Sequence, residues 1–331
     1  MSTNFNINPE MKLQTIVDIT PANQQISHFN RIMGIGSCFA DNIGNYMKYY
    51  GFKLHQNPYG IIYNPISISQ CIKQIINHKI YTIEDLIFFN GLYHSLDHHG
   101  SFNNADSEAG LNKINWGINK ANQFWQKTDV LIITWGTAVI YEYNEQDRIV
   151  ANCHKIPAQK FTKRILSTDE ILDEYIPLLD NLLAQNPQLH ILFTLSPIRH
   201  LRDGAVPNTI SKSILRTAMY ELENRYTQIT YFPAYELLMD ELRDYRFYNE
   251  DMLHPTEQAI RYIWGNFSYT YFSQPTLEIV QQIGELKTQL SHRSLFPNSE
   301  EDQKRKYQLE QRIEEFLSKN TQIDTRIFRA S

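Results

Sequence analysis

Residues 129–135 read DVLIITW, and all but the first and sixth of them are apolar. A strand buried on both faces has this composition, whereas a strand with one face in water alternates apolar and polar residues. Other strand-like runs occur at 31–35, 52–56, 189–195 and 229–232, and helical patterns separate most of them. Strands that alternate with helices predict an α/β protein whose parallel sheet has helices on both faces.

Two parts of the chain depart from this alternation. We expect residues 1–274 to form the α/β domain, with insertions at about 78–128 and 139–165. The first insertion is expected to be irregular until an amphipathic run at 114–126, and the second to contain a β-hairpin. Residues 275–331 carry two helical patterns, which predict a helical C-terminal extension. Self-association through these helices is a further expectation.

The composition disfavours several classes of protein. The chain has 331 residues, of which 42% are hydrophobic and 20% charged, as in globular rather than disordered proteins. Its net charge of −5 disfavours a nucleic-acid-binding protein, which needs a basic face. No apolar run approaches the ~20 residues of a membrane span, and no signal peptide is recognisable. Three cysteines are too few for a disulfide framework, so we expect a cytoplasmic protein without membrane or nucleic-acid partners.

The first predicted strand runs into a turn that contains Gly36 and Ser37. A dinucleotide-binding turn would need a small residue where Phe39 stands and an acidic residue at the end of the second strand, which ends in His55-Gln56. Neither requirement is met, so no nicotinamide or flavin cofactor is expected. A serine here would lie on an exposed turn, where the free N–H groups of the next helix can hold an anion. The competing interpretation is a plain helix cap.

A second polar motif, Asp251-Met-Leu-His254-Pro255, precedes the last helix of the domain. An aspartate and a histidine three residues apart can share one turn, so that the carboxylate accepts from Nδ1 and leaves Nε2 free as a base. The competing interpretation is an aspartate cap beside an unrelated histidine. Ser37 and this motif both follow predicted strands, and the carboxyl ends of parallel strands meet at one edge of a sheet. We therefore expect Ser37, Asp251 and His254 to meet there.

The five residues GSCFA, from Gly36 to Ala40, resemble the motif of the GSCFA family, which is similar to the SGNH (GDSL-like) hydrolases. The resemblance covers about 31–272. The turn 57–60 looks like the glycine block of these enzymes, residues 135–138 stand where the third block falls, and Asp251-x-x-His254-Pro255 looks like the last block. The resemblance implies a three-layer sandwich with a five-stranded, mostly parallel sheet in the order 2-1-3-4-5.

The resemblance also implies roles for individual residues. Ser37 would be the nucleophile, His254 the base and Asp251 the residue that orients the imidazole. The N–H groups of Ser37 and Gly60, together with Thr137, would form the oxyanion hole. SGNH enzymes carry an asparagine in the third block, whereas this sequence has threonine and alanine there. Candidates for the missing donor are Asn57, Asn64 and His154.

Further polar residues follow the fourth predicted strand at the same edge of the sheet. Arg199 could hold an anionic group of a substrate, and His200 lies beside it in the sequence; the competing interpretation of Arg199 is an ordinary loop salt bridge. His94, His98 and His99 lie in the first insertion with a spacing that fits no tight zinc pattern. We therefore expect no metal and no other cofactor.

The function implied is hydrolysis of a small acyl ester through an acyl-enzyme, with an acetylated carbohydrate as one possible substrate. Two alternatives remain open at this point. The same three residues would serve an acyltransferase that uses an alcohol acceptor in place of water. A protein that kept the fold and lost the asparagine could also be a non-catalytic binding module.

Overall fold

The structure, a computed structural model, describes residues 14–292, 294–297 and 299–328. In this part of the chain the strands are β1 (Arg31–Gly36), β2 (Lys53–Gln56), β3 (Leu86–Phe89), β4 (Leu92–Ser95), β5 (Val130–Trp135), β6 (Val139–Tyr143), β7 (Arg148–Val150), β8 (Phe161–Ile165), β9 (His190–Leu195) and β10 (Ile229–Phe232). Five of them form the central sheet in the order β2-β1-β5-β9-β10. Every neighbouring pair in this sheet is parallel, so the predicted strand order is confirmed.

Helices cover both faces of the central sheet. They are α1 (Cys38–Tyr49), α2 (Pro65–Ile76), α3 (Ser107–Trp125), α4 (Thr168–Gln185), α5 (Ala205–Arg225), α6 (Ala234–Glu236), α7 (Glu257–Tyr271), α8 (Gln274–Ser291) and α9 (Glu300–Lys319). Helices α2 to α5 bury their apolar side chains against one face, and α1, α6 and α7 against the other. All residues of β5 and β9 are buried, as expected for strands covered on both sides. The predicted three-layer α/β sandwich is therefore confirmed.

The first insertion is more ordered than the sequence analysis expected. Strands β3 and β4 form an antiparallel hairpin, and α3 begins seven residues before the predicted amphipathic run. The hairpin turns at Asn90 and Gly91, which have φ angles of 49° and 77°. Asparagine followed by glycine favours this tight turn because both positions require positive φ, so the signal was present in the sequence.

The second insertion contains the predicted hairpin and one strand more. Strands β6 and β7 pair antiparallel, and β8 pairs with the other edge of β6. Nothing in the short run 161–165, which carries a lysine and an arginine, distinguishes it from a polar loop. Pairing with β6 alone makes it a strand.

The C-terminal helices pack on the end of α1. Ile283 of α8, Phe316 of α9 and Ile323 form a small apolar cluster with Tyr50. Nζ of Lys287 also donates to the carbonyl of Tyr49 at 2.6 Å. Among the residues that the structure describes, no helix is both long enough and apolar enough to span a bilayer.

Candidate active site

Ser37 lies at the junction of β1 and α1. Its Oγ accepts a hydrogen bond from the N–H of Phe39 at 3.3 Å, so the side chain caps the helix. Its own N–H donates to the carbonyl of Thr134 at 3.2 Å. The residue is completely buried, which corrects the expectation of an exposed turn. The cap uses an acceptor lone pair of the hydroxyl and leaves its proton available.

Gly36 allows β1 to end against its neighbour β5. A Cβ at this position would lie 2.3 Å from the carbonyl oxygen of Thr134, and the φ angle is +151°. Only glycine fits such a close approach without moving the strand. Gly36 therefore fixes where the chain turns, and with it the place of Ser37 at the carboxyl end of β1.

Asp251 and His254 share a tight turn before α7. Oδ2 of Asp251 lies 2.5 Å from Nδ1 of His254, and Oδ1 accepts from the N–H groups of Leu253 and His254 at 2.9 Å each. The two N–H groups and the imidazole lower the pKa of the Asp251 carboxyl to about 2, with the His254 N–H the largest cause. The carboxylate is therefore ionised at neutral pH and holds Nδ1 as the protonated nitrogen.

The structure forms the Asp251–His254 pair but not the third contact. Within the described part of the chain, no hydrogen bond joins Oγ of Ser37 to Nε2 of His254. The two residues differ in exposure, because Ser37 is buried and the His254 side chain is 49% exposed. Nε2 of His254 thus has no hydrogen-bond partner among the residues that the structure describes.

The N–H groups expected to bind an oxyanion are engaged within the protein. Gly60 donates to the carbonyl of Asn57 at 2.7 Å, which closes the turn after β2. The Ser37 N–H makes the longer 3.2 Å bond to Thr134 already described. In this structure Gly60 therefore has no free N–H to offer an oxyanion.

Thr137 is also occupied. Its N–H donates to the carbonyl of Tyr63 at 3.2 Å. Its hydroxyl lies 3.1 Å from the hydroxyl of Ser211 and accepts from the N–H of Val139. These contacts tie the turn after β5 to α5 and leave Thr137 with a structural role.

Two of the alternative donors hold the turns around the site. Oδ1 of Asn57 accepts from the N–H of Gly36 at 2.9 Å, and its amide donates to Asp41 at 2.7 Å. Asn64 caps α2 by accepting from the N–H of Ser67 at 2.8 Å. Each amide is held by a backbone N–H and by a side-chain partner, so both residues hold the turns around the site.

His154, the third alternative, lies in the second insertion. Its Nε2 is 2.7 Å from the carbonyl of Ser95, and burial lowers its pKa to about 4. Its ring packs 4.9 Å from that of His94. No three histidine, cysteine, aspartate or glutamate side chains among the described residues are placed to hold a metal ion. His154 therefore joins the insertions to each other.

The loop after β9 reaches the turn that carries the Asp251–His254 pair. Nη2 of Arg199 donates to the carbonyl of Met252 at 3.0 Å, so Arg199 supports this turn. His200 lies against the turn after β5, where a Cβ on Gly136 would be 3.2 Å from its Nε2. Its ring also meets that of Tyr63 edge to face, with centroids 5.2 Å apart. The loops after β5 and β9 and the Asp251–His254 turn therefore meet at the carboxyl edge of the sheet.

Lys212 of α5 was not predicted by the sequence analysis. Its side chain is buried, and Nζ donates to the carbonyls of Gly136 at 2.8 Å and Ser196 at 2.6 Å. Burial lowers its pKa to about 7. The available signal was its position on the apolar stripe of α5 with Leu215 and Met219, where a lysine is unusual. Lys212 thus joins the turns that follow β5 and β9.

This chain has similarity to a solved structure and to a family model. The crystal structure of a carbohydrate esterase family 3 from Talaromyces cellulolyticus aligns with 77% of this chain and 99% of that chain, at a TM-score of 0.34 and 9% identity. No curated protein matches the sequence. The model of the GSCFA family matches residues 31–267, which is most of the chain. By this match the chain belongs to the GSCFA family.

Proposed function

We propose that this protein is a serine esterase that hydrolyses small acyl esters. The observation that carries the proposal is the Asp251–His254 pair, in which an ionised carboxylate 2.5 Å from Nδ1 leaves Nε2 free as a base. A histidine held in this tautomer is the usual activator of a serine nucleophile. Ser37 is the proposed nucleophile because it lies at the amino end of α1, where the helix dipole stabilises negative charge.

The proposed reaction has two steps. Oγ of Ser37 attacks the acyl carbon, its proton passes to Nε2 of His254, and the carbonyl electron pair moves to oxygen. The pair then returns, the bond to the alcohol oxygen breaks, and His254 protonates the leaving alcohol. Water repeats the sequence on the acyl-enzyme and regenerates Ser37. Proton transfer from Ser37 to His254 requires Oγ to come within ~2.6–3.2 Å of Nε2. Such contacts often tighten only when substrate binds.

Burial of Ser37 supports a small acyl group. The hydroxyl is inaccessible to solvent, and the residues around the carboxyl edge include the bulky rings of Tyr63 and His200. A long acyl chain would have to displace these rings, whereas an acetyl group has a small volume. We therefore propose an acetyl ester as the substrate, and an acetylated carbohydrate is one ester of this type.

The test is covalent labelling with a fluorophosphonate, followed by mass spectrometry of the labelled peptide. We expect a single adduct on Ser37 and turnover of a short-chain aryl ester that Ser37→Ala abolishes. Cys38→Ala is the matched control, because it changes the adjacent residue and should keep both the adduct and the turnover. An unlabelled but folded protein would instead indicate a non-catalytic binding module. Product analysis with an added sugar alcohol would reveal acyl transfer.

A further inference from the structure

An esterase needs hydrogen-bond donors for the oxyanion that forms beside its nucleophile. The end of β5 lies next to Ser37, whose N–H donates to the carbonyl of Thr134, so the turn after β5 is one place for such a donor. Removal of one such donor typically lowers the rate by about 10²–10³-fold. The residues first considered for this task are engaged elsewhere, since Gly60, Thr137, Asn57 and Asn64 all donate within the protein. The His154 ring is bonded to a carbonyl in the insertions. These residues already hold the turns of the fold, so we consider a further polar group at this turn.

His200 lies beside this turn. A Cβ on Gly136 would be 3.2 Å from Nε2 of His200, so the imidazole lies directly against the turn after β5. The N–H of His200 donates to Oδ1 of Asn208 at 2.8 Å, which fixes the loop that carries the ring. Among the residues described, neither ring nitrogen of His200 has a hydrogen-bond partner. A polar ring that is held in place and left without a partner suits a ligand group that arrives only during the reaction.

The electrostatic surroundings favour an uncharged imidazole. Burial, together with the nearby charges of Lys212 and His254, lowers the pKa of His200 to about 4. An uncharged imidazole carries one N–H, which can donate a hydrogen bond. In this role His200 does not take the Ser37 proton and does not replace His254 as the partner of Asp251. Neutral imidazoles polarise carbonyl oxygens in other enzymes in this way.

We propose that His200 donates a hydrogen bond to the oxyanion that forms when Ser37 attacks the ester. This inference rests on the proposed esterase function and adds one catalytic residue to it. No proton is transferred by His200: its N–H donates to the oxygen while charge is present there. A Cβ on Gly136 would lie 3.2 Å from both Nε2 of His200 and the ring of Tyr63, so both rings favour glycine here.

The test compares His200→Gln with His200→Leu. Glutamine can place an amide N–H near the position of Nε2, whereas leucine fills a similar volume and cannot donate. We expect His200→Leu to lower kcat by about 10²-fold or more with KM changed less than about threefold, because the bond strengthens in the transition state. His200→Gln should recover at least about tenfold of that loss. The rate of fluorophosphonate labelling at Ser37 should fall and recover in parallel.

A matched control is His190→Gln, which changes a buried histidine at the opposite end of β9 and should leave kcat unchanged. A His200→Leu enzyme with kcat near that of the unaltered protein would overturn the inference, as would a rise in KM alone. Either result would leave Ser37 labelling, and so the esterase proposal, intact. An unaltered protein whose Ser37 neither reacts with the fluorophosphonate nor supports turnover would overturn both. If His200→Leu does not fold, His200→Phe provides the same comparison.

Discussion

Nδ1 of His254 lies 2.5 Å from Oδ2 of Asp251, and the other oxygen of that carboxylate accepts from the backbone N–H of His254 itself. The aspartate therefore holds the ring and the backbone of one residue at once. Met252, between them in the sequence, has a φ angle of +58°, which keeps the turn tight. Arg199 bonds the Met252 carbonyl and supports the turn from the loop after β9.

The first prediction concerns Asp251→Asn. An asparagine keeps an acceptor oxygen but can turn its NH₂ group toward Nδ1, which would favour the other tautomer of His254. We expect kcat for a short-chain aryl ester to fall by about 10²–10⁴-fold while the melting temperature changes little. Because the Asp251 pKa is about 2, a decline of kcat in the unaltered protein between pH 4 and 8 should come from another group. An Asp251→Asn enzyme with undiminished kcat would remove the aspartate from the mechanism.

The second prediction separates the chemistry of Ser37 from its role as a helix cap. Ser37→Ala removes both the nucleophile and the acceptor for the Phe39 N–H, so the variant should lose activity and also about 1 kcal/mol of unfolding free energy. Ser37→Gly also removes the nucleophile but adds no volume at this buried position and is a better N-cap than alanine, so it should be inactive but closer in stability to the unaltered protein. Urea unfolding of the variants measures the difference. Equal stability of Ser37→Ala and the unaltered protein would show that the long 3.3 Å cap contributes nothing.

The third prediction is that Thr137 matters for stability and not for the reaction. Thr137→Val removes the hydroxyl that meets Ser211 and accepts from Val139, which should lower the unfolding free energy by about 1 kcal/mol. The change in kcat should stay within about threefold, because the transition state gains no bond from this hydroxyl. Thr137→Ser keeps the hydroxyl and is the control for stability. A 10²-fold loss of kcat in Thr137→Val would restore Thr137 to the oxyanion hole.

The fourth prediction concerns the buried amine of Lys212. Its pKa is about 7 in the folded protein and near the ordinary 10.5 in the unfolded chain. Between these values the unfolded chain binds a proton that the folded protein does not, so stability should rise with pH by up to about 1.4 kcal/mol per pH unit. An uncharged amine has two N–H groups, which match the two carbonyls it meets.

Urea unfolding at pH 7 and pH 9 measures this slope. Lys212→Met should lose the part of the rise that the amine contributes, while Lys287→Met, a lysine half-buried at the Tyr49 carbonyl, should retain most of it. The same slope in Lys212→Met and in the unaltered protein would show that the amine stays charged in the fold.

The fifth prediction is a loss of stability in acid. Burial lowers the pKa of several histidines from 6.5 to about 3–4; these are His28, His98, His154, His190 and His200. Below pH 6.5 the histidines of the unfolded chain bind protons, whereas those of the folded protein do not. The free energy of unfolding is therefore highest above this pH and falls as the pH approaches 4. Each of the five groups lowers the free energy of unfolding by up to about 1.4 kcal/mol per pH unit. Their summed effect is comparable with a whole domain's stability of about 5–15 kcal/mol.

Melting temperatures measured from pH 7 to pH 4 check this expectation. His190→Gln removes one titrating group and should flatten the decline, whereas His78→Asn, at an exposed position, should not. A melting temperature that is constant down to pH 4 would contradict the prediction that burial disfavours the protonated form of these histidines.

The sequence alone determined the sheet and the local half of the site. A strand as apolar as β5, in which only Thr134 is polar, is typically buried on both faces, so the alternation of strands and helices already implied the three layers. Asp251 and His254 are three residues apart, and a contact this local follows from the turn they share. The hairpin at Asn90-Gly91 was equally readable from the sequence, because its signal is also local.

Only the tertiary structure decided which polar groups are free. Ser37 and His254 are far apart in the chain, so their separation in space depends on how α1 and α7 pack. Whether Gly60 or Thr137 has an N–H or hydroxyl to spare depends on partners from other loops and helices, which no local pattern specifies. The burial of Lys212 and the position of His200 against Gly136 arise where α5 and the loop after β9 meet the turn after β5. Such long-range contacts satisfy buried polar groups throughout the fold. The hydrogen-bond donors that remain without a partner are therefore known only from the folded structure.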